Sequence, residues 1–206
     1  MDLLVQGVYD IQTLKTLQQK KISGLSFDLR GKSLNLIPFH VLKNLIPLFK
    51  FHKNYLIFEN DKILTINSFL NLLGEDKNKF ELQFRDFQSF DFYASIHHPF
   101  SWFFTTKTDW RNILTLPSLK TVFLPLDFKS EYEDLGDFWN IVQVRNLQVI
   151  VHSNSFAELE HFTFDKNLKL SVDLGHEMEI SFRQIDQDRL SNLTIWKNLY
   201  ESASGQ

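Results

Sequence analysis

Apolar runs in this chain end at polar or acidic residues, and they recur about every 20 to 30 residues. They read LLVQGVYD, ISGLSFDLR, NYLIFEN, KFELQFRD, SWFFTTKTD, TVFLPLDF, LQVIVHSN and LKLSVDLGHE. Between most of them lies a stretch able to form a helix. Strand, polar tip and helix, repeated about eight times, is the pattern of an α/β (β/α)8 TIM barrel, whose strand tips gather at one face and build the site. An open doubly wound α/β sheet shares the alternation. Eight units with a late strand and helix favour the closed form.

The elements follow from spacing and punctuation. The spacing predicts strands at Leu3–Val8, Ile22–Phe27, Tyr55–Phe58, Phe80–Phe84, Ser101–Thr105, Thr121–Leu126, Leu147–Val151 and Leu168–Val172. Asp10 is placed to cap a first helix, in which Ile11, Leu14 and Leu17 share a face. Pro38 opens a second helix, where its missing N–H costs nothing. Ile63–Leu73 forms a third, and Gly74 suits its C-terminal cap. Phe90–Ile96 reads as helix because that choice preserves the repeat. Asp109 caps a short helix ending at Leu114; Lys129–Gly136 is a charged loop. Further helices are predicted over Phe138–Val144, Phe156–Phe162 and Leu190–Tyr200, before a frayed tail at 201–206. No Pro-, Gly- or Ser-rich linker divides the chain, so residues 1–206 are expected to form a single compact domain.

Composition narrows the picture. At 206 residues the chain is short for such a barrel, which usually needs ~250 and at least ~200 residues, so there is little room for insertions. The 43% hydrophobic content supplies a core and argues against disorder. The 21 Phe residues read as core material. A formal charge of −3 with interspersed signs provides no basic face for nucleic acid. Cys is absent, which removes disulfides, thiolate nucleophiles and Cys-ligated zinc. MDLLVQGVYD lacks the basic and apolar regions of a signal peptide, and no apolar run approaches a ~20-residue membrane span. These features predict a cytoplasmic protein that engages no membrane.

The order and spacing of the tips resemble phosphoribosylanthranilate isomerase, a small (β/α)8 barrel of tryptophan biosynthesis. That family carries Lys-Ile-Cys-Gly at the end of its first strand, and this chain has Leu4-Val5-Gln6-Gly7. Its Ser-Pro-Arg loop after the second strand is matched by Ser33-Leu34-Asn35, and its Gln-Leu-His-Gly on the fourth strand by Gln83-Phe84-Arg85-Asp86. The catalytic Asp ending its sixth strand is matched by Asp127. The Val-Asp of its eighth strand is matched by Val172-Asp173, followed by Leu174-Gly175-His176-Glu177. The resemblance implies the barrel. It also implies a reaction in which a Cys base and an Asp acid open a phosphoribosyl ring through an enol. Here Gln6 stands at the Cys, and an amide is no general base near neutral pH. Asn35 stands at the substrate-contacting Arg. VIVHSNS lacks the Gly-Gly turn that lets backbone N–H groups reach a phosphate. The resemblance therefore argues against that reaction.

Asp127 is the catalytic candidate, an acid or base at the mouth by its match to the family; the competing role is a cap after a strand. Asp28, Glu59, Asp86 and Asp173 also sit at tips and would make an acidic mouth, or else act as caps and solvated loop charges. Arg30, Lys32, Arg85 and Lys107 lie near tips and could neutralise them or hold an anion. His152 and His176 end neighbouring strands, where one could move protons or join a metal site, although neither spacing matches a zinc motif. Gln6 and Gln83 could point into the barrel toward a ligand or be satisfied by buried neighbours. Trp102, Phe103 and Phe104 read as packing, and so do Trp110, Trp139 and Trp196. No Walker-type loop, G-x-S-x-G elbow or G-x-G-x-x-G turn is present. The expectation is a barrel that binds a small polar metabolite through Gln6, Asp28, Arg30, Gln83, Arg85, His152, Asp173 and His176, with Asp127 as acid or base and no metal or cofactor. The alternative is a barrel that keeps the fold without the reaction and acts as an interaction protein.

Overall fold

The computed structural model describes residues 2–20, 22–50, 53–126, 136–155, 158, 169–175, 178–181, 183–186, 188–190 and 192. Eight strands close a barrel in chain order: β1 (Leu3–Gln6), β2 (Gly24–Asp28), β3 (Lys53–Phe58), β4 (Glu81–Phe84), β5 (Phe100–Phe103), β6 (Leu119–Pro125), β7 (Gln148–Ser153) and β8 (Lys169–Asp173). The first and last strands pair in parallel from Leu3↔Leu170 to Gln6↔Asp173. Among the described residues the helices are α1 (Ile11–Gln19), α2 (Phe39–Leu45), α3 (Ile63–Leu73), α4 (Phe90–Ala94), α5 (Trp110–Leu114) and α6 (Gly136–Arg145). The helices expected over Phe156–Phe162 and Leu190–Tyr200 lie largely outside the described residues, as does Trp196. The chain packs as two compact units, residues 1–54 with 152–206, and residues 55–151.

In the first unit, alternate strand residues point away from the inner face and form core. Leu3, Val5, Leu25, Phe27 and Leu170 are fully buried, as are Leu14 and Leu17 of α1 and Leu42 of α2. Burying each such side chain contributes ~1.5–3 kcal/mol. Asp10 caps α1 as expected, its carboxylate accepting from Thr13 N at 2.7 Å. β1 ends earlier than its apolar run, because Gly7 turns to φ 86° and the amides of Gly7 and Val8 both donate to Ser26 O. An antiparallel hairpin absent from the sequence reading follows β8, made of β9 (Glu179–Ser181) and β10 (Gln184–Ile185).

In the second unit the core is an aromatic seam. Phe84 meets Phe92 and Tyr93 edge to face at 5.4 and 5.8 Å, and Tyr93 stacks on Phe100 at 5.8 Å. The seam continues from Trp102 to Phe104, which contacts Trp110 and Phe138. These contacts put Phe84, Trp102 and Phe104 on the helix side of their strands. They also explain why Phe90–Ala94 is helix: α4 brings Phe92 and Tyr93 onto that face. Two expectations are corrected here. Trp139 does not pack between helix and sheet: α6 buries Phe138 and Val142 and leaves Trp139 43% exposed against the edge of Phe138. Asp109 precedes α5 without capping its amides; its Oδ2 accepts from Asn112 Nδ2 at 2.6 Å.

Two predictions follow from this packing. A Cβ built on Gly7 would lie 2.6 Å from Asn35 Nδ2, and the left-handed φ is strained for any L side chain. Gly7→Ala is expected to lower stability by about 2 kcal/mol or more by urea unfolding, whereas Gly31→Ala, with open space around it, changes little. Burial pushes the Tyr93 phenol up to about 12, with the Asp86 charge adding to the rise. The unfolded phenol ionises near its ordinary value of 10.0, so the stabilisation from the neutral form is full below that pH and drains away as pH rises through about 12. Tyr93→Phe is expected to flatten the alkaline fall in unfolding free energy between these pH values by up to ~1.4 kcal/mol per pH unit, with equal slopes below pH 9.

Candidate functional site

Alternation along β1, β2, β7 and β8 aims a second set of residues at the inner face: Gln6, Ser26, Asp28, His152, Ser171 and Asp173. Apart from Asp173 they are almost completely buried. Polar groups in that position need partners. Gln6 Nε2 donates to Ser171 Oγ at 2.8 Å and lies 3.4 Å from His152 Nδ1. Ser171 Oγ is 2.7 Å from His152 Nδ1. On the other side of the ring, Nε2 lies 3.9 Å from Asp173 Oδ1. The Asp173 side chain is 24% exposed, against 5% for His152, so the carboxylate is the solvent-reached end of this chain of groups.

Asp28 ends β2 at 2% exposure and is fully matched. Arg30 meets it with Nε at 2.9 Å from Oδ1 and Nη2 at 2.6 Å from Oδ2, a two-pronged pairing that suits the planar guanidinium. Ser33 Oγ adds a bond at 2.6 Å and the Arg30 amide another at 3.0 Å. At Asp28 the charge is neutralised beside it by Arg30, one of the two roles open to that side chain. Asn35 is turned inward too: its Nδ2 donates to Leu174 O at 2.6 Å, tying the loop after β2 to the segment after β8. Arg183 of the β9–β10 turn bonds the carbonyls of Leu34 and Leu36 and sits 5.3 Å from the Tyr9 ring centroid. Burial first, then the neighbouring Glu179, raises the Tyr9 phenol well above its ordinary value.

The turn after β7 carries the exposed carboxylate of Glu158. Ser153 Oγ donates to Glu158 Oε2 at 2.5 Å, and the Glu158 amide donates to Ser155 Oγ at 3.2 Å.

In the second unit, Gln83 is fully buried on β4. Arg85 lies over the Phe103 ring at 5.2 Å from its centroid. Phe103 stacks on Phe123 at 4.8 Å, and Tyr55 meets Phe123 edge to face at 5.8 Å. Asp86 accepts from the Asn60 amide at 2.8 Å and from the Gln88 side chain, so it organises the β3 and β4 tips. Burial and the charges of Asp86 and Glu59 raise the neighbouring Asp61 carboxyl, against a bond from the Glu59 amide. Asp127 and His176 lie outside the described residues.

The structure thus joins Gln6, His152 and Asp173, and separately joins Asp28 and Arg30. Sequence reading missed Ser171 and Arg183, and named Ser33 only by its match to the family's loop. The first had a usable signal, because Ser171 lies two residues before Asp173 and shares its face of the strand. Among the described residues no group of three His, Asp or Glu could hold a metal, and no helix is long and apolar enough to cross a membrane. A groove of about 330 Å³ runs between α1 and the β9–β10 hairpin, lined by Thr13, Thr16, Arg183 and Ile185 among others and by none of the strand-tip candidates.

No protein-family profile and no curated protein matches the chain. Its architecture does match solved structures, and with those of one enzyme it shares the closed (β/α)8 fold. Phosphoribosyl anthranilate isomerase from Thermus thermophilus aligns over 100% of both chains at a TM-score of 0.63 and 12% identity. The enzyme from Thermotoga maritima covers 98% of this chain and 99% of its own at 0.62 and 13%. A phosphoribosyl anthranilate isomerase in complex with reduced 1-(o-carboxyphenylamino)-1-deoxyribulose 5-phosphate aligns over 94% and 96% at 0.63 and 13%.

The Asp28–Arg30 pairing generates a stability prediction. Arg30→Met strips a nearly buried carboxylate of its cation and is expected to cost about 2–3 kcal/mol in urea unfolding. Asp28→Asn with Arg30→Met is expected to cost less than the sum of the two single changes, a coupling a double-mutant cycle measures.

Proposed function

We propose that this barrel binds a small polar metabolite at the C-terminal ends of its strands and does not run the phosphoribosylanthranilate isomerase reaction. The observation that carries the reading is the Gln6–Ser171–His152–Asp173 network, a buried polar assembly ending in a carboxylate that solvent reaches. Barrels of this fold place their chemistry at that end. The reaction class that fits is isomerisation or another proton transfer beside a carbonyl or imine. Asp127, by its match to the isomerase acid, belongs to the same proposal.

Three positions argue against the isomerase reaction itself. Gln6, where the resemblance places the Cys base, spends its amide on Ser171. Asn35, where it places an Arg, spends its amide on Leu174 O. The turn after β7, where it places a phosphate turn, holds Glu158, whose carboxylate repels the phosphate of a ligand such as that bound in the similar isomerase.

A second reading has its own support. The inner residues Tyr55, Phe103 and Phe123 form an aromatic cluster with Arg85 against it, which suits a filled barrel serving as an interaction protein. The two readings separate in one set of measurements. A metabolite at a hundred times its Kd adds ~2.7 kcal/mol, so a library screen by thermal unfolding is expected to find a ligand raising Tm by about 5–10 °C, with the shift lost in Asp173→Asn. A screen with no hit favours the interaction protein. The chain is expected not to restore growth of a tryptophan auxotroph lacking the isomerase; Asp127-dependent growth would overturn this conclusion.

A further inference from the structure

We infer that Asp173 is the proton-transferring carboxylate of this mouth, positioned by His152, and that its substrate is a small hydroxycarbonyl compound without phosphate. The inference rests on the metabolite-binding reading and specifies its chemistry. Proton inventory carries it. Gln6 Nε2 can only donate, so Ser171 Oγ accepts there at 2.8 Å. The Ser171 hydroxyl proton then points to His152 Nδ1 at 2.7 Å. A neutral ring with Nδ1 as acceptor holds its own proton on Nε2, a tautomer assigned from the network. That N–H faces Asp173 Oδ1 at 3.9 Å.

The same facts exclude a serine-nucleophile reading of Ser171, His152 and Asp173. Ser171 is fully buried and its oxygen already accepts from Gln6, so no substrate carbon reaches it. What remains is a carboxylate at the solvent edge, backed by an oriented imidazole. Asp173 takes a proton from the carbon beside a carbonyl; the C–H electron pair becomes the new C=C bond and the carbonyl π pair moves onto oxygen. The carboxyl then returns its proton to the enolate oxygen, giving the enediol, or to the neighbouring carbon while the hydroxyl proton on the first carbon moves to the enolate oxygen. The product is a tautomer, and no oxidant or co-reactant is consumed. Glu158 in the β7 turn selects against phosphorylated substrates by charge.

The test is C–H to C–D exchange by NMR in D2O, using the full chain with dihydroxyacetone, D-ribulose and dihydroxyacetone phosphate. Wild type is expected to exchange the first two above the buffer rate, and the phosphate ester more slowly. Asp173→Asn is expected to lower exchange ~100-fold, the scale of a lost general base. His152→Leu is expected to lose about tenfold, with His152→Gln, which keeps an N–H donor, recovering part of it; both variants are checked for wild-type Tm. Glu158→Gln is expected to raise exchange of the phosphate ester. Probes that bind without exchanging, or exchange that survives Asp173→Asn, overturn this inference and leave the metabolite-binding reading standing. If Asp173→Asn fails to fold, Ser171→Ala decides through the same rates: an unchanged rate overturns the role of the network. A chain that binds no metabolite at all overturns the underlying reading.

Discussion

In a closed parallel sheet every second side chain points inward, and water does not follow it there. A polar residue on that face must therefore find its partners within the protein, since an unmet buried polar group costs ~1–3 kcal/mol. Gln6 reaches Ser171, Ser171 reaches His152, and Asp28 is enclosed by Arg30 and Ser33. The loops obey the same demand. Asn35 meets Leu174 O, and Gly7 must be glycine because Asn35 occupies the space where a side chain would stand. Partner satisfaction, more than the identity of any strand tip, shapes this end of the fold.

The two compact units answer that demand differently. Residues 1–54 with 152–206 keep a polar inner face and fill it with hydrogen bonds. Residues 55–151 place the rings of Tyr55, Phe103 and Phe123 inward beside the buried Gln83, Ser101 and Thr121. The Phe-rich composition follows from the second solution, in which aromatic rings line both faces of the strands. The functional reading follows from the first, where the bonded Gln6–Ser171–His152 group lies 3.9 Å from the partly exposed carboxylate of Asp173.

Much of the architecture was legible along the chain, because the strand period of two and the helical period of 3.6 leave distinct marks. The eight apolar runs became the eight strands, and Phe90–Ala94 is helix because Phe92 and Tyr93 complete the seam around Phe84. Trp139 was misplaced because adjacent residues on a helix point about 100° apart, and Phe138 took the inward position. The β9–β10 hairpin left no clear alternation, being only a few residues a side, yet it delivers Arg183 to the carbonyls of Leu34 and Leu36. For the site, the sequence identified Gln6, Asp28, Arg30, His152 and Asp173 as polar groups near strand ends and could not say which would meet.

By itself, then, the sequence determined the repeat, the closed (β/α)8 fold and the polar character of the strand ends, because these depend on short-range periodicity. The resemblance read from it implies that Gln6 and Asn35 stand at that family's Cys and Arg positions. Only the tertiary structure decided that Gln6, His152, Ser171 and Asp173 form one network while Asp28 is neutralised by Arg30. The partners Gln6 and Ser171 are 165 residues apart in the chain, and closing the sheet brings β1 beside β8. A hydrogen bond depends on positions within a few tenths of an ångström, which no local pattern encodes.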